Sequence, residues 1–396
     1  MSNLKKIKRI IYFISSPLTF QKYAKYGIEK MIENGFEVRV YDFSPIINPK
    51  LFALREDSPM SHNDYFLFHD KKTAINAISK TISSDFIICT LYYTRINYWV
   101  YKGLSLSSTF YSLIVSLAIP DRDLNESILS RVSKKTSLLL LYRMILNIPY
   151  RSVFSRIRRI RGPNFIIAGG DSSLEYYKML VPKNNAEIIW THGMDYDIYL
   201  QHRSDNVKKK TNKVVFIDVG VLSSSGDRMT SDAPYTKNIS HTDKYFPHIR
   251  KYFTEIERVS GCEIVIAVHP GPFTHSDEFG EREVVSGKTC ELIQNSDFVI
   301  THNSTAISFA VIMKKPIIFI TTDNYESTPL NASILHMANS LGRSVTNIDS
   351  DYSVDFSSEM LINSKLYNSY NQKYIKVDGT EEVNSWQIVA NKILRL

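Results

Sequence analysis

The sequence predicts an α/β protein made of two Rossmann-like domains facing a cleft. Three observations carry that reading. Strand-like and helix-like runs alternate over most of the 396 residues, as parallel sheets with covered faces require. The strand-like runs are continuously apolar and β-branched, the pattern of strands buried on both faces. The alternation is broken by a polar stretch at 204–212 (SDNVKKKTN) in which Val207 is the only apolar residue. The domain boundary is placed there, with residues 1–205 in one domain and 206–396 in the other.

In the first domain, Arg9–Ser15 (RIIYFIS) reads as a buried parallel strand. Phe20–Asn34 follows as a helix, with Tyr23, Ile28, Met31 and Ile32 near helical spacing and Gly35 closing it. Phe36–Phe43, Asp85–Leu91, Asn164–Ala168 and Glu187–Thr191 are further strands. The apolar runs Thr109–Pro120 and Thr136–Pro149 read as core or interfacial helices, the second interrupted by Arg143. Neither approaches the roughly 18 residues of a membrane-spanning helix.

In the second domain, Lys213–Ile217 is a strand and Lys244–Val259 an amphipathic helix closed by Gly261. Glu263–Val268 is a strand, Thr289–Asn295 a short helix and Phe298–Thr301 a strand. Thr305–Lys314 is a helix, followed by the strand Pro316–Thr321, whose proline cannot extend the helix before it. Ser344–Ile348 is a last short strand and Trp386–Leu396 a terminal helix.

Composition limits the function classes. Hydrophobic residues make up 43% and charged residues 22%, which excludes a disordered, collagenous or coiled-coil chain. Cys89, Cys262 and Cys290 are odd in number and lack C-x-x-C spacing, so neither a disulfide framework nor a structural zinc site is expected, and the chain fits a reducing cytoplasm. No cleavable leader is read at the start of the sequence. The net charge of +8 is uneven: residues 1–205 carry 28 Lys and Arg against 18 Asp and Glu, and residues 206–396 carry 20 against 22. Ten basic residues crowd 122–161, a patch suited to an anionic membrane surface, an anionic substrate or nucleic acid, or simply a solvated face.

Open parallel sheets bind ligands beyond the carboxyl ends of their strands. Polar, small and ionisable residues gather there: Ser15-Ser16-Pro17, Gly169-Gly170-Asp171 and His192-Gly193 in the first domain, and Asp218, His269-Pro270-Gly271, His302-Asn303-Ser304-Thr305 and Thr322-Asp323 in the second. Hydroxyls at 301–305 either cap the next helix or bind phosphate with its free N–H groups. His269 either donates to a leaving phosphate or serves the structure. Asp218 is either a general base for an acceptor hydroxyl or a turn cap. Arg282, in Gly280-Glu-Arg282, either pairs with a diphosphate or sugar carboxylate or is an ordinary loop arginine. G-x-G-x-x-G, P-loop, G-x-S-x-G and H-E-x-x-H patterns are absent. Asp195-Tyr-Asp197 has a D-x-D spacing, too short a pattern to predict a metal, and none is expected.

The run 264–322, with VHPGP, GER and KTCELIQNSDFVITHNSTAISFAVIMKKPIIFITT, resembles the donor-binding half of GT-B glycosyltransferases of bacterial surface carbohydrate. It is most similar to the group that binds a cytidine nucleotide through a His-Pro and a Ser/Thr motif: sialyltransferases, Kdo transferases and CDP-glycerol polymerases. The resemblance maps these motifs onto His269-Pro270 and Ser304-Thr305. It implies an N-terminal acceptor domain and a C-terminal donor domain. Read from the residues themselves, Gly271, Arg282, His302 and Asn303 are further candidate donor contacts beside His269, Pro270, Ser304 and Thr305, and Asp218 and His269 are the catalytic candidates. In the sialyltransferases the acidic base motif lies in the N-terminal domain, whereas Asp218-Val-Gly220 lies in the second half here, which makes Asp171 a competitor. The expected activity is transfer of a 3-deoxy-ulosonic acid (sialic, pseudaminic, legionaminic acid or Kdo) from a CMP-linked donor to a surface polysaccharide or lipid-linked glycan. No obligatory cofactor and no nucleic-acid partner are expected, and the expected location is cytoplasmic, peripheral at the membrane through 122–161. The alternatives are a UDP-sugar or CDP-glycerol transferase of the same fold and a sugar-nucleotide epimerase.

Overall fold

The computed structural model describes residues 6–53, 60, 64–115, 120, 160–174, 185–203, 210–218, 242–268, 276–350, 352 and 355–396. The chain divides into two compact units, one of residues 1–118, 125–194 and 376–396 and the other of 119–124 and 195–375. The sequence places the boundary at 205/206; the chain crosses at 194/195 and later returns to the first unit. The reason is burial. Helix Ser385–Ile393 sinks Trp386, Val389, Ala390 and Ile393 into the core of the first sheet. Helix Met194–His202 contributes Tyr196 to the core of the second.

The first unit has seven parallel strands: β1 (Arg9–Ile14), β2 (Glu37–Asp42), β3 (Tyr65–Leu67), β4 (Asp85–Cys89), β5 (Phe110–Val115), β6 (Phe165–Gly169) and β7 (Glu187–Thr191). Their order is β3-β2-β1-β4-β5-β6-β7. β4 and β6 are buried at every residue, because apolar clusters cover both faces of the sheet. β5 corrects an expectation: the apolar run after Thr109 is a central strand, since its aromatic and β-branched residues fill the gap between β4 and β6. The run Thr136–Pro149 and most of the basic stretch 122–161 lie outside the described residues.

The second unit has six parallel strands: β8 (Lys213–Ile217), β9 (Glu263–Val268), β10 (Val284–Ser286), β11 (Phe298–Thr301), β12 (Ile317–Thr321) and β13 (Val345–Asn347). Their order is β10-β9-β8-β11-β12-β13. In both sheets the sequence runs outward from the first strand, reverses, and runs out the other way, the Rossmann order. Helix Thr242–Ser260 turns Phe246, Ile249, Phe253 and Ile256 to the sheet at spacings of three and four. Among the described residues no helix is long and apolar enough to cross a membrane.

The expected helix Phe20–Asn34 is two helices, Phe20–Lys25 and Ile28–Glu33. Gly27 breaks them with φ of 59°, a left-handed conformation that side chains resist. A methyl group on Gly27 would also lie 2.0 Å from Cγ of Trp386. Gly27→Ala is therefore expected to destabilise the first unit by on the order of 3 kcal/mol, measured by urea unfolding followed through tryptophan fluorescence. Unchanged stability would contradict this packing.

Candidate functional site

Ligands of Rossmann sheets bind where the strand order reverses, beyond the carboxyl ends. In the second unit that point lies between β8 and β11. The ladder pairs Ile217 with Thr301, so the next residue on each strand, Asp218 and His302, leave the sheet side by side. The Asp218 N–H donates to the carbonyl of Ala267 at 2.9 Å, so β9 reaches the same level. His269, Pro270 and Gly271 follow β9 and lie outside the described residues.

His302 is fully buried. Its Nδ1 lies 2.8 Å from the carbonyl of Ile320. A carbonyl only accepts, so Nδ1 carries the proton. Nε2 then accepts from the hydroxyl of Tyr245, 3.0 Å away. Tyr325 packs edge-on against the ring at 4.6 Å. Burial pulls the imidazole pKa down to about 4, against a smaller opposing effect of the Ile320 bond. The ring thus serves the protein on both nitrogens. Tyr245 reaches it from helix Thr242–Ser260, and its hydroxyl is held far above its ordinary pKa by burial first, then by the charges of Tyr325 and Asp218. Tyr245 was missed in the sequence because an aromatic on an amphipathic helix reads as core.

Beyond His302 the chain makes a short loop before helix Ile307–Ile312, which is briefer than the expected 305–314. Asn303 Nδ2 reaches Ser333 Oγ at 3.4 Å. Ser304 Oγ accepts the N–H of Ala306 at 3.2 Å, which leaves its hydroxyl proton to donate. Thr305 is exposed. With only six residues in the helix, the loop hydroxyls and N–H groups carry any anion binding here.

Arg282 is placed elsewhere. β10 pairs Val284 with Ile266, so Arg282 lies toward the amino ends of the strands. Its Nη2 and Nε bond Glu257 at 2.6 and 2.9 Å, and its guanidinium lies 5.3 Å from the Phe253 ring centre. The structure does not bring it to Asp218 and His302. In the first unit, His192 is buried and bonded to Val383 and Ser385. Asp171, the competing base, is exposed after β6.

No protein-family model and no curated protein matches this sequence. Solved structures are similar along nearly the whole chain. A variant of the wall teichoic acid polymerase TagF aligns with 98% of this chain and 88% of its own, at 12% identity and a TM-score of 0.51. MurG of Acinetobacter baumannii aligns over 98% and 100%, at 8% identity and a TM-score of 0.49. The UDP-GlcNAc 2-epimerase of Methanocaldococcus jannaschii aligns over 98% and 100%, at 12% identity and 0.44. The two Rossmann sheets and the likeness to TagF establish a GT-B fold.

The buried imidazole sets a pH dependence. Its folded pKa, about 4, lies below its ordinary value of 6.5, so the unfolded chain binds the proton more readily between the two. The stabilisation is complete above pH 6.5 and is lost as pH falls towards 4. It amounts to roughly 3 kcal/mol. Urea unfolding at stepped pH is expected to show this acid loss in the parent protein and not in a folded His302→Gln variant. Parallel pH profiles would contradict it.

Proposed function

We propose that this chain is a nucleotide-sugar-dependent glycosyltransferase. Its donor is a CMP-linked 3-deoxy-ulosonic acid, and its acceptor is a glycan or lipid-linked glycan of the bacterial surface. One observation carries the reading: Asp218 and the polar loop 302–305 leave adjacent strands at the reversal point of the second sheet. A carboxylate and a set of hydroxyl and N–H donors emerging side by side are the pairing that glycosyl transfer from a phosphate needs. The GT-B fold supports it, as does the His-Pro and Ser-Thr pair in the sequence.

In this reading the phosphate of the donor is held by His269 and by the hydroxyls of Ser304 and Thr305. These donors stabilise the charge that grows on the phosphate oxygen as its bond to the anomeric carbon breaks. Asp218 accepts the proton of the acceptor hydroxyl as that oxygen bonds the same carbon. His302 is a positioning residue, because its nitrogens are spent on Ile320 and Tyr245. Arg282 is left to the fold. By its charge, the basic stretch 122–161 suits an anionic acceptor or membrane surface.

Transfer assays with CMP-, CDP- and UDP-linked donors test the reading. Asp218→Asn is expected to lower kcat by roughly 100-fold or more while donor binding persists. Ser304→Ala with Thr305→Ala is expected to raise donor KM by about tenfold, the worth of one charge-assisted hydrogen bond. Folded variants with full activity, or product formed without acceptor, would sink it. Preference for UDP-linked donors would overturn the CMP assignment alone.

A further inference from the structure

The first unit holds a half-open pocket of about 130 Å³ at the carboxyl ends of β4 to β7. Its floor is Ile114 and Ile167, register partners on β5 and β6. Val389 and Trp386 of the C-terminal helix wall one side, and Tyr26 and Tyr92 complete it. It reaches the surface at Lys25 and Tyr92, which are exposed. It sits at the strand ends where parallel sheets take ligands.

The polar groups on its wall decide what fits. Thr90 Oγ1 donates to the carbonyl of Phe13 at 2.9 Å. Thr191 Oγ1 donates to Ala168 at 3.2 Å. The indole N–H of Trp386 donates to Lys25 at 2.9 Å. His192 Nε2 donates to Val383 at 2.8 Å, and the Ser385 hydroxyl donates to His192 Nδ1 at 3.0 Å. These hydroxyl, imidazole and indole protons are turned to acceptors of the protein itself. A sugar or phosphate gains little from these groups; Lys25, Tyr26 and Tyr92 add polar atoms to the wall, but the larger part of it is apolar, the isoleucine, valine, methionine and ring surface that suits hydrocarbon.

We propose that this cavity is a binding site for a compact hydrocarbon group, an aromatic ring or short branched chain of about six to eight carbons; a cavity of about 150 Å³ holds benzene. The site uses no residue of the second unit, so it stands or falls apart from the donor reading.

Toluene and glucose are the probes, added to the full chain carrying ¹⁵N-labelled tryptophan. Trp99, Trp190 and Trp386 are the three tryptophans, and Trp386→Phe identifies the third indole resonance. Toluene is expected to shift the Trp386 resonance saturably, to leave the other two in place, and to lose about tenfold in affinity in a folded Ile114→Phe variant that fills the floor. Glucose is expected to shift none. No saturable shift of Trp386 by toluene, equal toluene affinity in the filled variant, or binding of glucose at the same resonance would overturn the proposal. Should Ile114→Phe not fold, crystals of the parent protein under xenon pressure decide: xenon in the cavity supports it and an empty cavity overturns it.

Discussion

The ladder between β8 and β11 is the constraint on which the candidate site depends. Both strands are buried and parallel, and their register pairs Ile217 with Thr301. A slip of one residue would turn every side chain of a strand to the opposite face and bury charge in apolar layers. The apolar content of VVFI and FVI therefore fixes where Asp218 and His302 emerge. The position of the candidate chemistry follows from core packing, without any local motif holding it.

His302 extends that constraint sideways. Through Ile320 it is tied to β12, and through Tyr245 to helix Thr242–Ser260. A buried imidazole with both nitrogens partnered costs the fold little, whereas one partner lost would leave a buried polar group unmet. The loop 303–305 is thus carried on a rigid base, while Thr305 itself is exposed. This is the arrangement a ligand site needs: adaptable contacts on a fixed support.

Much of the fold was legible because buried parallel strands announce themselves. β7, β8, β9 and β11 run over the residues the sequence indicates. The three-residue edge strands β3 and β10 were not read from the sequence, whereas β13, equally short, was. The return of 376–396 to the first unit was hidden too, because Trp386 and Val389 show an apolar face but not which sheet it covers. Asp218 and 302–305 are candidates by their place after strands, and the register of β8 and β11 brings the two strand ends together. The burial of His302 and the capture of Arg282 by Glu257 were invisible, as both depend on partners distant in sequence. His269, Pro270 and Gly271 lie outside the described residues, so their part in the site rests on the sequence.

On the proposed reading, a nucleotide phosphate sits on the loop after β11, beside Asp218. Calorimetric titration of CMP, CDP, UMP and UDP, with and without Mg²⁺, into the parent protein and into the folded Ser304→Ala, Thr305→Ala double variant tests it most directly. CMP is expected to bind best, Mg²⁺ to make no difference, and the double variant to bind more weakly. Silence from all four nucleotides, or equal binding by the double variant, would contradict it.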